Sequence, residues 1–186
     1  MAIQLDEERT NYPAIKFENP GDYINVACIR IETLPLLAYG TEQPVMGKDG
    51  KPRSQTRLTG IVTGGNGQIK DGEALRPAAK GDIVSLYIKG LSRWEFFQAK
   101  TKLAPAKFEV GDLLQWRYTG TQPGQVTGTT KKVYTITLGK PKPADAARTA
   151  ECEAHYMRLI GEALAPTHEA TPHDPDSYDP FASDDD

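Results

Sequence analysis

The stretch G-D-Y-I-N-V-A-C-I-R-I, residues 21–31, begins with a turn signal and continues as a run of apolar and β-branched residues. The same order returns as G-D-I-V-S-L-Y-I-K at residues 81–89 and as G-D-L-L-Q-W-R-Y at residues 111–118. Glycine adopts the backbone angles that a tight turn needs, aspartate hydrogen-bonds to nearby backbone, and β-branched and aromatic residues favour extension. Each stretch therefore predicts a strand that starts directly after a Gly-Asp turn.

Two further strands are expected at residues 55–63 and 132–138, which share this composition. Residues 39–54 and 119–131 are long Gly-rich connections, and we expect both to form β-hairpin arms. Basic residues flank the D-G turn of the first arm and end the second; they are Lys48, Lys51, Arg53, Lys131 and Lys132. Five strands with Gly/Pro-rich connections predict a mainly β fold, either a small antiparallel barrel or a sandwich.

Two helices are expected outside the strands. Ser92 is followed three residues later by Glu95, which is the spacing of a capping box, so a short helix is predicted from Ser92 to Leu103. Residues 144–165 change to helical spacing after a Pro-Lys-Pro break and predict an amphipathic helix. Its apolar positions are Ala150, Ala154, Met157, Ile160 and Leu164. This helix would pack on the barrel or on a second subunit, so a homo-oligomer is possible.

The charge of the chain is divided between its two ends. Residues 1–143 carry a net charge of +6 and residues 144–186 a net charge of −9. The last eleven residues, D-S-Y-D-P-F-A-S-D-D-D, contain five aspartates and two aromatic residues. Such a segment cannot bury enough apolar surface to order itself, so residues 166–186 are expected to be a disordered acidic tail. A basic body with an acidic tail suggests a nucleic-acid binder whose tail recruits partners or competes for the binding groove.

Several functional classes are disfavoured by the sequence. No apolar run reaches the roughly 18 residues of a membrane span, and the N-terminus lacks a signal-peptide pattern. Cys28 and Cys152 are isolated, as expected for reduced thiols of a cytoplasmic protein. The Gly-rich residues 64–70 lack phosphate-loop spacing and are interpreted as a turn. The histidines follow no metal-ligand pattern. We therefore expect no catalytic residue, no metal, no cofactor and no membrane partner.

Alternation along the strands separates an apolar face from a face that mixes cations and aromatic residues. The apolar face holds Val84, Leu86, Ile88, Leu114, Trp116, Tyr118, Tyr134, Ile136 and Leu138. Single-stranded nucleic acid is bound by aromatic side chains, on which bases stack, and by Lys and Arg, which contact phosphates. The stacking candidates are Tyr87, Trp94, Trp116 and Tyr118. The phosphate candidates are Arg53, Arg57, Lys89, Arg93, Arg117, Lys131 and Lys132. Trp116 lies on the apolar face, where a core role is the alternative, and Trp94 is equally open to a structural role.

Taken together, these residues resemble the single-stranded DNA-binding proteins, whose fold is the OB barrel. The strand entries K-G-D-I-V at residues 80–84 and V-G-D-L-L at residues 110–114 look like phage-encoded members, and members of this family in bacteria end in an acidic stretch closed by Pro-Phe. Here Pro-Phe is followed by A-S-D-D-D. The partner-binding tail residues would be Tyr178, Asp179, Pro180, Phe181, Asp184, Asp185 and Asp186.

The resemblance implies a five-stranded OB-like barrel in residues 1–143, a helix in residues 144–165 and the tail. It implies a non-catalytic role in the cytoplasm, that of the host if the protein is phage-encoded. That role would be to coat single-stranded DNA and to recruit replication and recombination proteins. The alternative is a phage assembly or adaptor protein, also non-catalytic, whose basic arms face a protein partner. A nucleic-acid enzyme would need clustered carboxylates, which the sequence does not show.

Overall fold

A computed structural model describes residues 12–124 and 126–164. These residues form eight strands, two α-helices and one short 3-10 helix, Pro143–Asp145. The strands are β1 (Ala14–Lys16), β2 (Tyr23–Pro35), β3 (Ser54–Gly65), β4 (Gln68–Asp71), β5 (Ala74–Pro77), β6 (Ile83–Ile88), β7 (Leu113–Pro123) and β8 (Thr130–Gly139). The helices are α1 (Leu91–Leu103) and α2 (Ala146–Leu164).

The strands form one mixed sheet in the order β5-β4-β1-β6-β3-β2-β7-β8. Only β1 and β6 pair in parallel; the other described pairs are antiparallel. The mainly β class and the two helices agree with the prediction, but five strands closed into a barrel do not. Within the described residues β8 pairs with β7 alone, so β8 and β5 are the sheet edges and the sheet is open. Helix α1 packs beside β8.

Three strands were missed in the sequence. Strands β1, β4 and β5 are three or four residues long, and β5 is exposed throughout. A segment this short does not establish a period of two, which is the main sequence signal for a strand. Of residues 64–70, which were predicted to form a turn, only Asn66 and Gly67 lie between strands, because β3 ends at Gly65 and β4 begins at Gln68. The Asn66 side chain accepts a hydrogen bond from Tyr23 N–H at 2.8 Å.

The Gly-Asp turns begin three of the long strands, as predicted: β2, β6 and β7 each start at the residue after the aspartate. The three glycines have φ angles of 100°, 97° and 86°, in the left-handed region that favours glycine. In the third turn the Asp112 carboxylate accepts the N–H of Glu109 at 2.7 Å. Two backbone hydrogen bonds join the turn to β2: the Gly111 N–H donates to the Cys28 carbonyl, and the Cys28 N–H donates to the Asp112 carbonyl. In the other two turns the aspartate also accepts a backbone N–H, and a pair of backbone hydrogen bonds joins the turn to a neighbouring strand, β7 for the first turn and β3 for the second.

The main core lies on the sheet face that alternation predicted. Its members from β6 and β7 are Val84, Leu86, Ile88, Leu114, Trp116 and Tyr118, and Ile136 joins them from β8. Phe96 of α1 is buried against this core, whereas Trp94 and Phe97 of the same helix are exposed. The predicted capping box is wrong: α1 begins one residue earlier, its N-cap is Gly90, and Ser92 is buried inside the first turn.

Helix α2 covers the opposite face of the sheet. Cys152 and Leu159 are buried there against Ala27, Ile29 and Ile61 of β2 and β3. The helix therefore packs on its own sheet, as the first of the two predicted alternatives has it. The predicted apolar face is wrong, however: Ala150, Ala154 and Met157 are exposed. Among the described residues no helix is both long and apolar enough to cross a membrane.

Candidate nucleic-acid interface

The loop between β2 and β3 is an ordered arm. Two isolated bridges, Leu37 to Pro44 and Met46 to Pro52, hold it together. Its base is closed by two backbone hydrogen bonds: the Leu36 N–H donates to the Arg53 carbonyl, and the Arg53 N–H donates to the Val45 carbonyl, both at 2.8 Å. The cations that the sequence places on this arm are therefore held on a defined backbone.

A cleft of about 840 Å³ lies between this arm and the junction of β6 with α1. We call it the arm cleft. Its cations are Lys48, Lys51, Arg53, Lys89 and Arg93, and its one carboxylate is Asp49. Arg93 is exposed on the first turn of α1 and donates to the Ser54 carbonyl at 3.2 Å, which joins the helix to the base of the arm.

A second cleft, of about 360 Å³, lies between the end of β6, the start of α1 and strands β7 and β8. We call it the aromatic cleft, because Tyr87, Trp116 and Tyr134 line it. Trp116 is 7% exposed and belongs mostly to the core, where its ring centre lies 5.1 Å from that of Tyr134. The cations of the cleft are Lys89, Lys131 and Lys132, and no lining residue is acidic.

The two clefts meet, because Lys89 and Gly90 line both. Together they are lined by seven cationic side chains and one carboxylate. A third cleft, beside the N-terminus of α2, has balanced charge: Lys80 and Arg148 face Asp145 and Glu151. The joined clefts are thus a groove of strongly positive charge with an aromatic part, which is the combination that a single strand of nucleic acid requires.

Seven of the eleven sequence candidates line this groove. They are Arg53, Tyr87, Lys89, Arg93, Trp116, Lys131 and Lys132. Arg57 does not, since its guanidinium forms two hydrogen bonds to the Glu32 carboxylate, at 2.9 and 2.7 Å. Burial alone would lower the Arg57 pKa, but the hydrogen bond and charge of Glu32 outweigh burial, so the pKa is raised. Arg57 is therefore held in an ion pair rather than presented to a ligand.

Three other candidates also lie outside the two clefts. Arg117 lies 4.8 Å from the ring centre of Tyr23. Tyr118 is buried, and the Lys132 ammonium group lies 4.8 Å from the centre of the Tyr118 ring. Trp94 is exposed on α1 and stacks on Phe97. The tail candidates, from Tyr178 to Asp186, lie outside the described residues.

Three of the cationic and aromatic residues of the groove were not selected from the sequence. Lys48 and Lys51 belong to a charged arm, but sequence alone does not show that the arm bends toward α1. Tyr134 shares one face of β8 with Ile136 and Leu138 and was therefore assigned to the apolar face. The structure leaves it half-buried at the edge of the core, where it borders the aromatic cleft. Its sequence signal was the neighbouring pair Lys131 and Lys132.

Within residues 12–124 and 126–164, no group of three or more His, Cys, Asp or Glu side chains is arranged to hold a metal ion. Comparisons with protein-family models, with curated proteins and with solved structures found no match to this chain. Function must therefore be inferred from the geometry and charge of the groove itself.

Proposed function

We propose that this protein binds single-stranded DNA without strong sequence preference, and so protects transient single strands. The observation that carries the proposal is the joining of the arm cleft and the aromatic cleft at Lys89 and Gly90. Phosphates would contact the cations along the arm and β8, while unpaired bases stack on the aromatic side chains. In a duplex the base faces are already stacked, so the aromatic cleft favours single strands.

The order of the long strands supports an OB-like architecture. Strands β6, β3, β2, β7 and β8 are consecutive neighbours, and α1 lies between β6 and β7 in the chain. These are five strands with a helix before the fourth, in the open form of the sheet. OB-type sheets bind oligonucleotides with a strand face and its adjoining loops. In this protein the corresponding positions are the arm between β2 and β3 and the hairpin of β7 and β8.

The acidic tail supports a second part of the proposal, the recruitment of replication or recombination proteins. Residues 176–186 present aromatic anchors among aspartates, which suits a basic, apolar pocket on a partner. The same charges would compete with DNA for the positive groove at low salt. Binding and recruitment would then be linked, because DNA in the groove displaces the tail.

The proposal is tested by fluorescence anisotropy of a labelled thymidine oligonucleotide of about 30 nucleotides, titrated with the full-length protein. Seven cations line the two clefts, and Lys132 is not counted because it donates a hydrogen bond to the Phe17 carbonyl. With six phosphate contacts, the logarithm of the association constant should fall with the logarithm of the salt concentration with a slope of about −4. Unlabelled single strands should compete better than a duplex of the same length. Absence of binding at about 50 mM salt, or equal competition by the duplex, would overturn the proposal.

A second candidate function, an assembly or adaptor protein, is favoured by one observation. The arm exposes the large apolar side chains of Leu37, Tyr39 and Met46, and Tyr39 is fully exposed. Exposed apolar groups beside cations also suit a protein partner. In that case the basic groove would be part of a protein interface, and the oligonucleotide titration would show no binding at physiological salt.

A further inference from the structure

Helix α1 carries two exposed aromatic side chains, Trp94 and Phe97, that line neither cleft of the proposed DNA groove, although the neighbouring Leu91 does line the aromatic cleft. Trp94 and Phe97 are 60% and 58% exposed, and their rings stack with centres 6.0 Å apart and planes 27° apart. Leu91, one turn earlier, is 42% exposed. Large apolar side chains gathered in one exposed place mark an interaction surface more often than a surface without function. We call this surface the α1 platform.

The helix that carries the α1 platform has a net positive charge. Arg93, Lys100 and Lys102 are exposed on the same helix, and its one acidic residue, Glu95, is half-buried. Of these cations, Arg93 also lines the arm cleft. A partner for the platform must therefore combine aromatic or apolar anchors with negative charge.

The chain itself contains a segment of that composition. Residues 176–186 hold Tyr178 and Phe181 among five aspartates and no Lys or Arg. We propose that this segment docks on the α1 platform of its own chain, with its aromatic side chains against Trp94 and Phe97 and its aspartates toward Arg93, Lys100 and Lys102. This inference does not depend on DNA binding.

The length of the chain permits this contact. Phe181 follows the end of α2, Leu164, by 17 residues, which reach at most roughly 60 Å when extended. A domain of this size is roughly 40 Å across, so the path over its surface to the point opposite the end of α2 is also roughly 60 Å; a nearly extended tail covers that path, and nearer points are well within range. A short tether also gives an effective concentration in the millimolar range, so that even a contact with a dissociation constant of about 1 mM would be formed about half the time.

Docking would place the acidic end of the chain beside the DNA groove, because Trp94 directly follows Arg93. The tail would then be stored on the protein when no partner is present and would occupy one phosphate contact of the arm cleft. A partner that captures Phe181 would release both the platform and Arg93.

The protein has two tryptophans, exposed Trp94 and buried Trp116, so acrylamide quenching of tryptophan fluorescence reports mainly on the platform. The full-length protein is compared, without DNA, with a Tyr178→Ala/Phe181→Ala variant. Loss of docking should raise the quenching constant of the variant about two-fold above that of the wild type. At high salt the quenching constant of the wild type should rise toward that of the variant, because salt screens the charge contacts. In a Trp94→Phe background the tail substitutions should have no effect.

Equal quenching in the wild type and the tail variant would overturn the inference. Protection of Trp94 that grows with protein concentration would also overturn it, by placing a second copy on the platform. A tail variant that binds DNA more tightly but leaves Trp94 quenching unchanged would show that the tail acts in the groove alone. Because the quenching assay contains no DNA, its result is separate from the success or failure of the proposed DNA binding.

Discussion

Lys131 and Lys132 are neighbours in sequence with different environments. Lys132 donates a hydrogen bond to the Phe17 carbonyl and lies over the Tyr118 ring. Lys131 is exposed, lines the aromatic cleft and forms no ion pair with a described residue. Lys132 therefore contributes to the stability of the β7–β8 hairpin, whereas the charge of Lys131 is available to a ligand.

This difference gives a prediction for the two alanine substitutions. Lys131→Ala should leave the melting temperature unchanged and weaken single-strand binding about five-fold at roughly 0.1 M salt, the share of one phosphate contact. Lys132→Ala removes a hydrogen bond and a cation–π contact, so it should lower the free energy of unfolding by about 1–2 kcal/mol. Thermal melts and anisotropy titrations of both variants test this. Identical effects of the two substitutions would contradict the assignment.

The two cysteines are expected to be inert in the folded protein. Burial raises the pKa of the Cys28 thiol, and burial together with Glu151 raises that of Cys152 to about 11. At pH 8 both thiols stay protonated and buried, so a disulfide reagent should modify neither until urea unfolds the protein. Modification of the folded protein at the rate of a free thiol would show that the described packing of α2 is wrong.

The same shift sets the direction of a pH dependence. A thiol whose folded pKa is raised stabilises the fold below its unfolded pKa of about 8.5, and this stabilisation is lost as the pH rises toward the folded value. The free energy of unfolding should therefore fall between pH 8 and pH 10.5. The fall should be smaller in Cys152→Ala, which serves as the matched control. A fall of the same size in both proteins would assign it to other groups.

At the scale of single residues, the sequence could predict which aromatic side chains face the core but not which border a cleft. Alternation placed Leu114, Trp116 and Tyr118 on one face, and all three are buried. Trp116 nevertheless also lines the aromatic cleft, whose other walls come from β6, α1 and β8. Arg57 shows the converse problem, since its partner Glu32 lies on another strand, 25 residues away.

At the scale of elements, the Gly-Asp turns were the most reliable signal. Their hydrogen bonds are local, formed by the aspartate and the residues just before it, so they can be inferred from four consecutive residues. The packing of α2 could not be inferred in this way. Its buried positions include Cys152 and Leu159 rather than Ala154 and Met157, and the residues that they contact, Ala27, Ile29 and Ile61, lie on β2 and β3, far away in the sequence.

The third turn also tests the packing of α2. A Cβ at Gly111 would lie 2.6 Å from the Thr149 methyl group, whereas a Cβ at Gly81 would meet no atom within 4 Å. Both glycines have positive φ, so alanine at either position should cost about 1–2 kcal/mol in backbone strain. Gly111→Ala should cost about 1–3 kcal/mol more, from overpacking against α2. Urea unfolding of the two variants measures the difference, and equal losses would contradict the contact.

At the scale of the whole molecule, charge is separated along the chain, and seven of the 20 Lys and Arg side chains in residues 1–143 line one groove. The sequence predicted this separation from composition. The sequence could not predict that the sheet is open. A closed barrel would need β8 to pair with β6, and whether these strands come close depends on how α1 packs beside β8. The long arm and the hairpin, 80 residues apart in sequence, meet at the groove only in the folded protein.

Competition between the tail and DNA should depend on charge. Replacement of Asp184, Asp185 and Asp186 by asparagine removes three negative charges from the full-length protein. Single-strand affinity should rise several-fold at about 50 mM salt and change little at about 500 mM, where the charges are screened. Anisotropy at the two salt concentrations is the measurement. An affinity that does not change at low salt would show that the tail does not compete.

The most direct test of the groove compares two double variants that lose the same charge. Lys89→Ala/Lys131→Ala removes two cations of the clefts, and Lys16→Ala/Lys70→Ala removes two exposed cations on β1 and β4. In anisotropy titrations with a thymidine oligonucleotide at roughly 0.1 M salt, the cleft variant should bind about 10–30-fold more weakly, with a salt slope lower by about 1.4. The control should bind like the wild type. Equal weakening of both variants, or binding that is unchanged in the cleft variant, would contradict a single-strand groove at this position.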